Sequence, residues 1–149
     1  MSKPKFVYVI YISATPEKIW SALLDVKFTR EYWGHENVSD WKAGSSWEHR
    51  RLDDARTVDL VGEVIESVPP HRLVLTWAEP ADKANRAKHT RVTIELQPIE
   101  SMVRLTVTHD QFENAPGMLP KISEGWPRVL SSLKSLLETG KPLQTWAKP

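Results

Sequence analysis

The sequence predicts an α+β fold: one strand, two short helices, a run of antiparallel strands that brings the sheet to about six or seven, and one long C-terminal helix. Three observations predict it. From about Val38 to Gln111 apolar and polar residues alternate with a period of two, in stretches separated by turn chemistry. Upstream, a β-rich run leads directly into helix-start chemistry at Thr15-Pro16-Glu17. Downstream, Trp126, Val129, Leu130, Leu133, Leu136 and Leu137 recur at helical spacing, opposite Arg128, Ser131, Ser132, Lys134 and Ser135.

The elements follow in order. Phe6 to Ile12 is β-branched and aromatic and reads as a strand; both of its faces are apolar, so cover on both sides is expected. Thr15 is a helix N-cap, Pro16 fits the first turn, and Glu17 faces the positive end of the dipole. Ile19, Trp20, Leu23 and Leu24 then form one apolar face. In a second short helix Phe28 and Tyr32 stand four apart, and Gly34 is the stop. Strands are expected near 45–52, 57–67, 71–78, 89–98 and 101–111, with turns at Asp53-Asp54, Pro69-Pro70, Glu79 to Lys88 and Pro98 to Ser101. Connections this short imply antiparallel pairing.

Alternation assigns the faces. Leu73, Leu75 and Trp77 share one, as do Val92, Ile94 and Leu96, and as do Val103, Leu105, Val107 and His109. The sheet therefore has one apolar side, and the long helix covers it. Pro127 suits only a helix's first turn, so that helix is expected to begin within a few residues of it or to kink there. Gly140 and Pro142 end it, and residues 141–149 form a loosely held tail that includes Trp146.

Composition narrows the function. With 149 residues the chain is read as one domain, and a net charge of +1 with interspersed signs gives no basic stripe for nucleic acid. Cysteine is absent, which removes disulfides and thiol catalysis and fits a reducing cytoplasm. No run approaches membrane-spanning length, and the N-terminal end lacks a signal-peptide core. Metal-ligand spacing, phosphate loops and nucleophile elbows are missing, so no metal, no cofactor and no catalytic residue is assigned.

Seven tryptophans are the chain's most unusual expenditure. Trp33, Trp47, Trp77 and Trp126 come from four separate elements, and two readings are open. They line a ligand cavity, or they fill the core. Trp41 lies beside a turn and is read as structural.

The order of elements, with several local signatures, resembles a known family. Those signatures are Ile12-Ser13-Ala14-Thr15-Pro16-Glu17-Lys18-Ile19-Trp20, Phe28-Thr29-Arg30-Glu31-Tyr32-Trp33, and Ser39-Asp40-Trp41 through Gly44 to Trp47. Gly62-Glu63-Val64, Pro69-Pro70-His71-Arg72-Leu73 with Trp77, Thr108-His109 with Phe112, and Glu124-Gly125-Trp126 leading into Ser131-Ser132-Leu133-Lys134 add to them. From about Val7 to Gly140 the chain resembles bacterial single-domain homologues of the heat-shock protein 90 ATPase activator, in the START-like (SRPBCC) superfamily. The resemblance implies a helix-grip fold, a curved sheet wrapped around the C-terminal helix with a hydrophobic cavity between them. Members of the superfamily bind lipids, polyketides and other apolar molecules. This branch brings no shared catalytic set.

The leading expectation is thus a non-enzymatic binder of a lipid-like, polyketide-like or aromatic small molecule. The alternatives are a chaperone-associated stress protein acting on the heat-shock protein 90 ATPase, and a cyclase- or hydrolase-like enzyme using His109 or His49. Leu75, Ile94, Leu105 and Leu130 would supply apolar walls beside the four tryptophans, with Phe112 completing the lining. His109 either contacts the ligand or is buried and bonded to Glu124 or a backbone group, and the structural role is the expectation. His49 shares a face with Trp47 and Arg51, at a cavity mouth or on an exposed edge. Arg72 is read as a structural donor, and His71 and His89 as solvated.

Overall fold

The computed structural model describes residues 3–143, and Trp146 with the rest of the expected tail from 144 onward lies outside them. Strand β1 (Phe6–Ile12) is followed by helices α1 (Pro16–Leu24) and α2 (Val26–Trp33). Six strands come next: β2 (His35–Ser39), β3 (Ser46–Arg51), β4 (Val58–Val68), β5 (Arg72–Trp77), β6 (Thr90–Ile99) and β7 (Met102–Asp110). Helix α3 (Met118–Thr139) closes the fold. The seven strands form one curved antiparallel sheet in the order β1-β7-β6-β5-β4-β3-β2. Consecutive strands from β2 to β7 are neighbours, and all but β5 and β6, which residues 78–89 separate, are joined by short connections. The first strand crosses to the last, pairing Phe6 with His109 and Ile12 with Val103.

The helix ends are set by local chemistry. Thr15 Oγ1 accepts from the Lys18 amide at 3.2 Å and starts α1. Asp25 does the same for α2, accepting from the Lys27 amide at 2.9 Å. Gly34, at φ 71°, stops α2 in the left-handed region and turns the chain into β2.

The inner face of the sheet meets α3. Met118, Ile122, Trp126, Val129, Leu130 and Leu133 are the helix's buried apolar side. They share a core with Leu73, Leu75, Ile94, Leu96, Leu105 and Val107 from the sheet and with Ile19 and Leu23 from α1.

Two expectations are corrected, and of the two alternatives for Pro127 the helix start is set aside. The strand β2 was not foreseen, because His35, Glu36 and Asn37 are poor strand formers. It forms by pairing with β3, from His35 opposite Arg51 to Ser39 opposite Trp47. The outer face of β1 is not covered: Val7, Val9 and Tyr11 are 48%, 46% and 43% exposed. The helices pack on the other side of the sheet, and β1 is its edge. Pro127 lies inside α3, which begins at Met118. Burial of Met118 and Ile122 on the same face as Trp126 outweighs the one backbone bond that proline forfeits.

Candidate ligand-binding cleft

The four tryptophans converge. Trp33 ends α2, Trp47 lies on β3, Trp77 ends β5, and Trp126 lies on α3. Trp77 is the hub, with ring centroids 5.1 Å from Trp47, 5.4 Å from Trp126 and 6.3 Å from Trp33. Trp33 and Trp126 are 5.6 Å apart. Buried Trp47 donates Nε1–H to the Thr76 carbonyl at 2.8 Å. That approach passes over Gly62, where a Cβ would collide with both partners.

Beside the cluster opens a cleft of about 390 Å³. Trp33, Trp77, Trp126, Met118, Ile122 and Val129 give it apolar walls, with Leu60 across from α3. Gly125 faces it without a side chain, and a Cβ there would meet nothing within 4 Å. Polar groups sit at two places on the wall: His35, His49 and Asp59 on the β2–β4 side, Glu79 and Lys121 on the other.

The β2–β4 side is a built hydrogen-bond array. His35 and His49 stack with centroids 4.0 Å apart and planes at 8°. His49 Nδ1–H donates to the Asn37 side-chain oxygen at 2.5 Å, which leaves Nε2 as an acceptor. Burial, reinforced by the neighbouring His35, lowers the His49 pKa to about 3, with Asp59 acting weakly the other way. His49 is therefore neutral at physiological pH. His35 Nε2 lies 3.0 Å from Asp59 Oδ2, and Arg51 Nε donates to the same oxygen at 2.9 Å. Burial pulls the Asp59 pKa up, but the bonds from Arg51 and His35 outweigh it and hold the carboxyl ionised below its ordinary range. Across the cleft Lys121 Nζ and Glu79 pair at 3.0 Å.

His109 is tied into the core by hydrogen bonds. It is fully buried, and Trp126 donates Nε1–H to its Nδ1 at 3.3 Å. Its Nε2–H then donates to Thr90 Oγ1 at 2.7 Å, and Thr90 donates onward to the Trp77 carbonyl at 3.0 Å. The expected partner Glu124 instead pairs with Arg128 at 2.9 Å, because it lies on the exposed side of α3.

The candidate lining residues thus separate into three groups. Trp33, His49, Trp77 and Trp126 border the cleft. Trp47, Leu75, Ile94 and Leu130 border a much smaller inner void of about 20 Å³. Leu105, His109 and Phe112 border neither space: Leu105 is fully buried, and Phe112 stacks on His109 at 4.9 Å. His49 is buried, so the exposed-edge alternative is set aside; Arg51 turns outward to Asp59. His89 is not solvated, since it is buried with Nδ1 2.9 Å from Thr76 Oγ1 and Nε2 2.9 Å from the Asp82 carbonyl. Arg72 bridges Glu66 and Glu95. Trp41 takes a left-handed turn conformation at φ 57° and packs on the core.

Sequence reasoning missed His35, Asp59, Glu79, Lys121, Met118 and Ile122 as cleft residues. Met118 and Ile122 were findable, lying eight and four residues before Trp126 on the same helical stripe. His35 was hidden with its unforeseen strand.

Comparison with known proteins follows the same architecture. The family model for activator of Hsp90 ATPase homolog 1-like protein matches residues 13–138. The chain belongs to that family. Among solved structures, the chain is similar to the Aha1 dimer from Colwellia psychrerythraea, with TM-score 0.74 and 22% identity over 93% of this chain and 98% of that one. It is similar to PFC0360w, an HSP90 activator from Plasmodium falciparum, with TM-score 0.69 and 24% identity over 89% and 95% of the two chains. It is also similar to DynU16, from the dynemicin biosynthetic locus, with TM-score 0.72 and 21% identity over 93% of this chain and 48% of that one. At these identities the likeness is one of fold. Comparison with curated proteins finds no match. Among the described residues of this family member, no helix is long and apolar enough to cross a membrane.

Proposed function

We propose that the chain binds a hydrophobic or aromatic small molecule in the cleft between α3 and the sheet. The observation that carries this reading is the space of about 390 Å³ walled by Trp33, Trp77 and Trp126 with a side-chain-free gap at Gly125. Apolar walls with a few fixed polar groups are the usual make-up of a small-molecule site. Neutral His49 supports a ligand with one hydroxyl or amine donor, because its Nε2 is an acceptor beside the aromatic wall. DynU16, from a biosynthetic locus, lends the reading fold-level support.

The reading makes the chain a carrier or sensor rather than an enzyme. A histidine held neutral with a pKa near 3 is a poor proton donor and a weak base. Asp59 is committed to Arg51 and His35. A cysteine-free chain fits a cytoplasmic setting. Native mass spectrometry of the purified protein tests the proposal: a co-purifying small molecule, released on unfolding, is the expected result. A clean apo mass together with no binding from a broad apolar panel would sink it.

Family membership and the HSP90 activator of Plasmodium falciparum favour a second reading, contact with an Hsp90-type chaperone. Stimulation of a purified Hsp90 ATPase by the chain would support it, and an unchanged rate would remove it.

A further inference from the structure

The sheet has two edge strands, and they differ. At one edge β2 is five residues long and polar, His35-Glu36-Asn37-Val38-Ser39. Its Glu36 is held by Arg30 at 3.1 Å and Arg56 at 2.6 Å. Short, charged edges of this kind resist pairing with another chain. The β1 edge has none of these protections. Phe6-Val7-Tyr8-Val9-Ile10-Tyr11-Ile12 is aliphatic and aromatic throughout, without a charge or a proline, and its register with β7 runs without a bulge. Val7, Val9 and Tyr11 are exposed on the outer face, and Phe6, Tyr8 and Ile10 are only half-buried on the core side.

The backbone of this edge is capped at one end and open in its middle. Lys134 Nζ donates to the Tyr11 carbonyl at 2.7 Å, and the Ser13 amide donates to Glu138 Oε2 at 2.7 Å. Lys134 and Glu138 also pair with each other at 2.7 Å, so the last turns of α3 cap the C-terminal end of β1. Along an antiparallel strand the amides and carbonyls of alternate residues point to the same side. Those of Val7 and Val9 therefore point as the capped groups do, off the sheet. Among the described residues no side chain bonds to them. A row of unpaired amides and carbonyls flanked by apolar side chains is a template for one more strand.

We propose that β1 pairs antiparallel with β1 of a second copy of this chain, about a two-fold axis at Tyr8, so that two sheets join into one. Antiparallel pairing of identical strands is self-complementary, as a two-fold interface must be. The cap places the axis. Centred on Tyr8, Val7 exchanges backbone bonds with the partner's Val9, Phe6 faces the partner's Ile10, and Tyr8 faces its own counterpart, apolar against apolar. The capped Tyr11 carbonyl then falls on the last rung of the ladder, opposite the partner's Lys5. Centred on Val9, that carbonyl would lie inside the ladder, against the partner's Val7. Centred on Val7, Lys5 would lie against the partner's Val9. Charge agrees with the Tyr8 axis: Lys5 has no ion-pair partner among the described residues, and the axis sets it beside the carboxylate of Glu138 that caps the partner's strand. The seam is at the opposite edge of the sheet from His35 and Asn37 and does not depend on the cleft reading.

Sedimentation velocity of the full chain, from low micromolar to several hundred micromolar, reads the mass. Twice the mass of one chain is expected at the upper end. Val9→Lys sets a charge at the centre of the seam and should stay monomeric throughout, with Tm unchanged because Val9 is exposed in the single chain. Since the chain has no cysteine, single-cysteine variants read the register. Tyr8→Cys would meet its counterpart at a Cα separation of about 4.5 Å, within disulfide reach, and should give a linked dimer on mild oxidation. Val7→Cys, whose counterpart would lie on the diagonal about 7–8 Å away, should not. Wild type that is monomeric at every concentration overturns the proposal and leaves the edge to a strand from a different protein. A dimer that survives Val9→Lys also overturns it, as does cross-linking that is absent in Tyr8→Cys or equal in the two cysteine variants. If Tyr8→Cys does not fold, the comparison of wild type with Val9→Lys decides alone.

Discussion

Trp126 on α3 donates its indole N–H to His109 on β7 across 3.3 Å, and the bond couples the long helix to the last strand inside the core. The histidine passes the chain of bonds on through Thr90 to the Trp77 carbonyl, so α3, β7, β6 and β5 share one polar thread. Each atom that carries the thread lies in a buried residue and is paired, the condition under which a polar network specifies a core rather than weakening it.

Replacing His109 with alanine breaks the thread in the middle. It strands the Trp126 N–H and leaves a gap beside Phe112. The expected loss is about 1–3 kcal/mol for the unpaired donor, with more from the cavity, read as a lower urea midpoint. A variant as stable as wild type would contradict the structural role.

Stability should fall in acid in a defined window. Burial lowers the pKa of His109 to about 3, and burial with neighbouring His35 lowers that of His49 to about 3. Unfolded histidine titrates near 6.5. Below pH 6.5 the unfolded chain binds protons that the folded chain refuses, so the contribution is complete above 6.5 and shrinks as pH drops toward 3. By pH 5 the cost is on the order of 2 kcal/mol for each histidine. Urea denaturation at pH 7.5 and pH 5 checks this, and equal stability at the two values would refute the neutral assignment.

Gly62→Ala should be among the most damaging single-methyl changes. Its Cβ would be driven into the Thr76 carbonyl and the Trp47 indole nitrogen, the two ends of a buried hydrogen bond. A loss of about 3 kcal/mol or more is expected, seen as a large drop in Tm or failure to fold. A Tm within a few degrees of wild type would show that β4 and β5 shift apart more easily than this packing implies.

Much of the fold was legible. Thr15-Pro16, the hairpin turn at Asp53-Asp54 and the α3 stripe are local signals, and each element formed where they stand. The strand β2 was not, because its five residues hold only one strong strand former, Val38, and depend on β3 for order. The convergence of Trp33, Trp77 and Trp126 followed from the resemblance to a helix-grip fold, not from spacing. Volume was beyond reach. Leu130 and Gly125 lie on the same helix, yet Leu130 meets a void of about 20 Å³ while Gly125 meets a cleft of about 390 Å³. Ångström-scale packing decides that difference, and it leaves no periodic trace.

Leu130→Trp consequently tests packing rather than binding. The side chain is 1% exposed and has no room to grow. Overpacking should cost about 1–3 kcal/mol, measured by thermal denaturation. A neutral effect would mean that the inner void expands freely.

Gly125→Leu addresses the central claim most directly, since it places a side chain in the cleft from a helical position where a Cβ meets nothing within 4 Å. Exchanging a helix-interior glycine also favours the helix by about 0.5–1 kcal/mol, so lost binding cannot be blamed on unfolding. The measurement is a fluorescence titration of wild type and Gly125→Leu with N-phenyl-1-naphthylamine, a neutral apolar probe. The account predicts saturable binding to wild type at roughly micromolar Kd, near −8 kcal/mol, and at least about tenfold weaker binding to a variant whose Tm is unchanged or higher. Equal affinity in the two proteins, or no saturable binding to wild type, would contradict it.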